Sequence, residues 1–153
     1  MTKALGIVAI FFVIVFGADQ YIKQVFIDGF TWHSEAISFY LVYNTGVAFS
    51  MFSSLGEYLK YIQILLILAL FVFLYMEKPF FKNNSVAIGI ILGAGCSNIY
   101  DRFLHGGVVD YIAWHYKFEF AVFNFADVMI NFGVFLILLK LFLEWRKSKK
   151  VKS

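Results

Sequence analysis

Charge is what this sequence has least of. Only 15% of its 153 residues are Asp, Glu, Lys or Arg, against about 25% in an ordinary soluble domain. The net charge of +3 is small and does not point to a nucleic-acid surface. A single cysteine, Cys96, excludes an intrachain disulfide. It lies in an apolar run beside Gly95 and reads as a small buried packing residue. The only proline, Pro79, is read as stopping a short polar turn over 77–84. Residues 27–57 contain no Lys or Arg. His33, His105 and His115 are scattered, without H-E-x-x-H or paired spacing, so no metal site is expected and each reads as an interfacial polar residue. Ser97 sits in GCSNI, which lacks the G-x-S-x-G elbow of a serine nucleophile, and no phosphate-binding glycine loop is present.

What the sequence does have is apolar length. It is 61% hydrophobic and 21% aromatic, with a mean hydropathy of +0.78. A soluble chain this short has too little interior to bury that much apolar surface. Four segments reach membrane-spanning length, at approximately 4–26, 58–76, 86–104 and 125–145. The first also resembles a signal peptide after Lys3. No A-x-A cleavage site follows it, so it reads as retained. The fold class expected is an all-α membrane protein of one domain, 1–153. It has four transmembrane helices, extracytoplasmic loops at 27–57 and 105–124, and a small β-sheet between helices 1 and 2. That sheet comes from Ile37 to Tyr43, rich in aromatic and β-branched residues and followed by Asn44-Thr45-Gly46. Val47 to Phe52 is expected to dip into the interface. Ser85 is expected to cap the third span, which is apolar in its first half and polar in its second.

The basic residues orient the chain. Lys3, Lys78, Lys82 and the tail from Arg146 to Lys152 gather at one end of the spans, while little beyond Lys23, Lys60 and Lys117 lies at the other. The positive-inside rule then makes both termini and the 77–85 turn cytoplasmic. Asp19, Asn44, Asp110 and Asp127 converge on the outer face. Carboxylates at the edge of spans cost several kcal/mol unless paired, hydrated or used.

Asp110 follows the Gly106-Gly107 turn, and Asp127 falls in the first turn of the last span. The chain between them leaves the membrane and returns, so the two carboxyls can face each other. Such a pair holds one proton between two groups and supplies both a base and an acid to one water. The alternative, equally open on spacing, is two unrelated interfacial acids that cap helices. Asp19 and Lys23, at i and i+4, form either an interfacial ion pair or part of a site. Asn98, Asp101 and Arg102 share a helix face. They form either a salt-bridged helix end or a set that holds substrate main chain and orients the acids. Asn44 and Asn124 are amides able to donate and accept at once.

These residues carry a resemblance. Asp19-Gln20 with Lys23, Asn44 to Ser50, Ser97 to Arg102 with Gly107 to Tyr111, and Phe123 to Asp127 resemble the successive motifs of the bacterial lipoprotein signal peptidases, signal peptidase II, in the family's order. The departures are Ser97, where the family often has glycine, and Val47, where it often has alanine. The resemblance implies a catalytic pair at Asp110 and Asp127. Asp19, Lys23, Asn44, Asn98, Asp101, Arg102 and Asn124 would support it or bind substrate. It implies an aspartic endopeptidase of the bacterial inner membrane that needs no cofactor. The enzyme would cut prolipoproteins just before a diacylglyceryl-modified cysteine. Its partners would be those substrates and membrane lipid, with no nucleic acid, and it would act as a monomer. Two other functions compete: a transporter subunit whose acids carry protons, and a scaffold that binds lipid through its aromatic loops.

Overall fold

A computed structural model of the chain describes residues 1–46 and 53–151. Five helices and three strands follow in the order α1 (Thr2–Ile27), β1 (Trp32–His33), β2 (Ile37–Asn44), α2 (Leu59–Met76), α3 (Lys78–Asn83), α4 (Ser85–His105), β3 (Val108–Trp114) and α5 (Phe125–Val151). A 3-10 segment, Ser53–Tyr58, leads into α2. The expected interfacial dip at Val47 to Phe52 lies outside the described residues.

Three stretches, Thr2–Ile27, Leu55–Met76 and Phe125–Lys150, are long and apolar enough to cross a membrane, with mean hydropathies of 2.1, 2.2 and 2.1. Their large apolar side chains point outward: Ile10, Val13, Leu65, Leu66 and Leu138 are each more than half exposed. In water such a surface is an aggregation site; against lipid it is the expected exterior. The chain is a multi-pass membrane protein. The fourth long helix, α4, is different: most of it is buried, including Ser97, Asn98, Asp101 and Arg102. It is the axis on which α1 and α5 pack.

Glycine makes that packing possible. A Cβ on Gly89 would lie 2.7 Å from the Val8 carbonyl oxygen, and one on Gly93 would lie 2.7 Å from that of Phe12. Gly89 and Gly93 form a G-x-x-x-G stripe that lets two backbones touch, which is how membrane helices associate when no water drives them together. At one end of the bundle Ala4, Leu74, Phe81, Ile88 and Leu92 form an apolar cluster. Val15, Ile90, Ala94 and Ala126 form a second. The polar side chains collect beyond these, at the other end.

The sheet corrects one expectation. Its order is β1-β2-β3, antiparallel throughout. The third strand therefore comes from the segment between α4 and α5, and the sheet is not confined to the loop between helices 1 and 2. Gly106, with φ of 72°, ends α4 in the left-handed conformation and turns the chain into β3. The Phe26 ring, at the end of α1, stacks on Tyr111 of β3 at 4.1 Å between centroids and anchors the sheet to the bundle.

Four smaller expectations also change. Pro79 stands at the start of the short helix α3 rather than stopping a turn, because a residue in the first turn needs no N–H donor. Asn84, not Ser85, is the residue before α4, and it makes no side-chain cap; its amide bonds back to the Phe80 carbonyl. The last helix runs on through the basic tail to Val151. Cys96 is half-buried rather than buried.

Candidate active site

Asp110 is on β3, paired opposite Val42 of β2, and Asn44 lies two residues further along that strand. This register carries Asn44 to the carboxylate: its Nδ2 donates to Asp110 Oδ2 at 2.8 Å. The other oxygen, Oδ1, accepts from Asn124 Nδ2 at 2.7 Å. The returning chain brings Asn124 there because Phe123 pairs with Ile112 of β3.

Asn124 also holds the second acid. Its backbone N–H donates to Asp127 Oδ2 at 3.1 Å, and its Oδ1 accepts the Asp127 N–H at 2.9 Å. This is a reciprocal capping arrangement at the start of α5. Asp127 Oδ1 accepts from Asn98 Nδ2 at 3.0 Å. Asp127 is thus a helix-capping acid and part of the cluster at once, so the two sequence alternatives coincide at this residue. The acids are not unrelated, since one asparagine bonds to both.

Asp110 is 2% exposed. Burial pushes its carboxyl up from the ordinary range to about 7. The nearby Asp127 charge pushes the same way, while the amides of Asn44 and Asn124 and the charge of Lys23 oppose it. The neighbouring Tyr111 hydroxyl is also pushed up, chiefly by burial, and it accepts the Phe125 N–H at 3.0 Å.

Behind the acids is a buried ion cluster. Lys23 Nζ lies 2.6 Å from Asp19 Oδ2 and 2.6 Å from Asp101 Oδ2, and donates to Asn98 Oδ1 at 2.8 Å. The three donors of one ammonium are thereby used. Asp19 Oδ1 accepts the Ala126 N–H at 2.9 Å, one of the orphan donors of the first turn of α5. Asp101 Oδ2 accepts the Val109 N–H at 3.1 Å. The cluster joins α1, α4, β3 and α5 and positions Asn98 against Asp127.

Two of the alternatives left open by spacing are narrowed here. Asp19 and Lys23 do pair, but not as an interfacial ion pair: they are 0% and 1% exposed. Asp101 and Arg102 do not form a salt-bridged helix end. Asp101 pairs with Lys23, and Arg102 Nη2 donates to the Gly46 carbonyl at 2.5 Å. Adjacent residues on a helix point about 100° apart, so the two face different partners.

Asn44, Asn98, Arg102, Asp110 and Asp127 all line one cavity of about 420 Å³. Asp19, Lys23, Asp101 and Asn124 stand behind its wall. The histidines lie apart from one another: His33 stacks on Tyr40, His105 lies against Tyr43, and His115 bonds to Ser38.

Sequence reasoning missed three participants. Gln20 Nε2 donates to Asp101 Oδ1 and to Ser97 Oγ, both at 2.8 Å. Ser97 Oγ donates to Asp19 Oδ2 at 2.6 Å, so this hydroxyl joins the ion cluster. Gln63 of α2 lines the cavity. The signal for Gln63 was available, since an amide inside an apolar span is rarely idle.

The family model described as Signal peptidase (SPase) II matches residues 11–143. A lipoprotein signal peptidase of Helicobacter pylori (strain Shi470) is 52% identical over 151 residues, 99% of this chain and 96% of its own length. One from Wolinella succinogenes is 53% identical over 133 residues, covering 87% and 91%. One from Campylobacter jejuni subsp. jejuni serotype O:23/36 (strain 81-176) is 50% identical over 137 residues, covering 90% and 88%. The solved structure of a bacterial membrane enzyme superposes with a TM-score of 0.73 at 25% identity, over 94% of this chain and 90% of that one. A family match along most of the chain, and relatives identical at about half of nearly all positions, lead to one statement: the chain belongs to the signal peptidase II family.

Proposed function

We propose that this protein is an aspartic endopeptidase that removes signal peptides from prolipoproteins, with Asp110 and Asp127 as its catalytic pair. The observation that carries this reading is Asn124, bound to both carboxylates at the wall of one cavity. The bond cut is the one before the diacylglyceryl-modified cysteine.

The chemistry is general acid–base catalysis. A water between the acids gives a proton to the Asp127 carboxylate as its oxygen attacks the scissile carbonyl. Asp110, whose carboxyl titrates near neutrality, gives its proton to the carbonyl oxygen. The resulting gem-diol collapses when Asp127 passes its proton to the departing amine and Asp110 takes back a hydroxyl proton. The pair titrates as a unit, so these roles belong to the bound state. Asn44, Asn98 and Asn124 hold the carboxylates in place throughout. Arg102 is suited to hold substrate main chain.

The protein crosses the bacterial inner membrane four times, through α1, α2, α4 and α5, with both termini cytoplasmic. At 21 residues α4 is about 31 Å long, enough for the hydrocarbon core. Its polar half lowers its hydropathy yet faces α1, β3 and α5 rather than lipid. The site lies at the outer surface, where a lipid-tethered substrate stays, and the enzyme works as a monomer.

The test is incubation of purified protein in lipid with a fluorescent peptide carrying a diacylglyceryl cysteine. Mass analysis should show one cut, before that cysteine, and the unlipidated peptide should remain whole. Equal cleavage of both peptides would contradict the substrate assignment.

A further inference from the structure

Among the described residues, three buried side-chain polar atoms lack a hydrogen-bond partner: Arg102 Nε, Arg102 Nη1 and Gln63 Oε1. Buried polar atoms are nearly always paired, so each exception calls for an explanation. All three belong to residues that line the catalytic cavity. Two are donors and one is an acceptor. Together they match a peptide group, which presents one C=O and one N–H.

Gln63 stands at a boundary. It is one turn into α2, and with Asn98 it also lines the mouth of a second, otherwise apolar cavity of about 290 Å³ shared with Leu66, Ile67, Leu70, Ile91 and Ile130. Leu66, Ile67 and Leu70 follow Gln63 at i+3, i+4 and i+7, the same face of the helix. One side of Gln63 is therefore the polar cavity with the acids, and the other is an apolar groove that runs deeper along the span. A signal peptide must change character at such a point. Its apolar part lies in lipid, and its cleavage site lies between Asp110 and Asp127.

We propose that Gln63 is a substrate-positioning residue for this peptidase: its Oε1 accepts a backbone N–H of the substrate on the signal-peptide side of the scissile bond, while the free Arg102 N–H groups take a carbonyl oxygen of the same stretch. This rests on the peptidase reading above. It adds that α2, which contributes neither acid, fixes how far the extended chain is drawn into the site. The substrate class is any peptide with a free N–H at that position; an ester or N-methyl link there is recognised poorly.

The test uses full-length protein in lipid and the diacylglyceryl peptide, with a series in which single backbone N–H groups before the cut are replaced by ester oxygen. In wild type, one replacement should raise KM about tenfold, the effect of a neutral hydrogen bond lost from a desolvated site, with little change in kcat. Gln63→Met should raise KM for the normal peptide by a similar factor. It should then be indifferent to that same replacement, because the partner is already gone. Thermal unfolding of Gln63→Met should match wild type, since an unpaired oxygen is removed from an apolar helix. If no ester replacement on that side affects wild type, or if Gln63→Met still discriminates against it, the assignment is wrong. Should wild type cut none of the peptides, the peptidase reading itself fails, and the two outcomes are distinct.

Discussion

Replacing Lys23 with methionine removes the one cation between two buried carboxylates. Asp19 and Asp101 each lie 2.6 Å from the ammonium, and none of the three groups is more than 1% exposed. Breaking a buried pair from one side costs about 3–5 kcal/mol, because the other charge is left uncompensated. Here two charges are left, so the upper end applies. That is a large share of a folding stability of about 5–15 kcal/mol. The loss also reaches the site, since Lys23 donates to Asn98, which in turn donates to Asp127. Thermal unfolding in lipid nanodiscs, followed by tryptophan fluorescence, should show Lys23→Met markedly destabilised. A second change provides the control. Lys23→Met with Asp101→Asn removes one of the stranded charges, and Asp19 keeps its donors from Ser97 and Ala126. The double variant should therefore be more stable than Lys23→Met alone. If Lys23→Met unfolds within about 1 kcal/mol of wild type, or the second change lowers stability further, the cluster does not support the fold as described.

Because the Asp110 carboxyl titrates near 7 when folded and near 3.8 ordinarily, the stability it lends is present at low pH and lost as pH rises through about 7. The stability gap between Asp110→Asn and wild type should shift in favour of the variant from pH 4 to pH 8, by up to about 4 kcal/mol. Wild-type kcat/KM should fall over the upper part of that range as Asp110 loses its proton, which a pH–rate profile will check. Gly93→Leu should lower stability by about 1–3 kcal/mol or more, because its Cβ alone meets the Phe12 carbonyl at 2.7 Å; thermal unfolding measures it. A reporter fused after Ser153 should be cytoplasmic and one inserted near Gly29 extracytoplasmic; finding both on one side would contradict four spans.

Much of this arrangement was legible where the signal is local. The apolar runs located the long helices, and the capping position of Asp127 could be read from its place after Asn124. The i, i+4 spacing of Asp19 and Lys23 announced their pairing. Their third partner, Asp101, lies on another helix, and local spacing does not reveal a partner so distant in sequence. The salt-bridged helix end, one of the two readings open for Asp101 and Arg102, falls because chain neighbours on a helix do not share a face. The strand Val108–Trp114 was read as surface chain because its partner, Ile37–Asn44, precedes two helices and no turn joins the pair. The Gly89-x-x-x-Gly93 stripe, which the sequence reading did not single out, explains why α4 lies at the centre.

The central claim is that Asp110 and Asp127 act as one unit on one water. The direct measurement is single-turnover cleavage of the diacylglyceryl peptide by Asp110→Asn, Asp127→Asn and the double variant, at equal amounts of folded protein. Each single change should slow cleavage by roughly 10²–10⁴-fold. The double variant should be little slower than either, since groups that act together do not add. Substrate binding should be far less affected than turnover. An Asp110→Asn variant that cleaves near the wild-type rate, or losses that multiply in the double variant, would contradict the account.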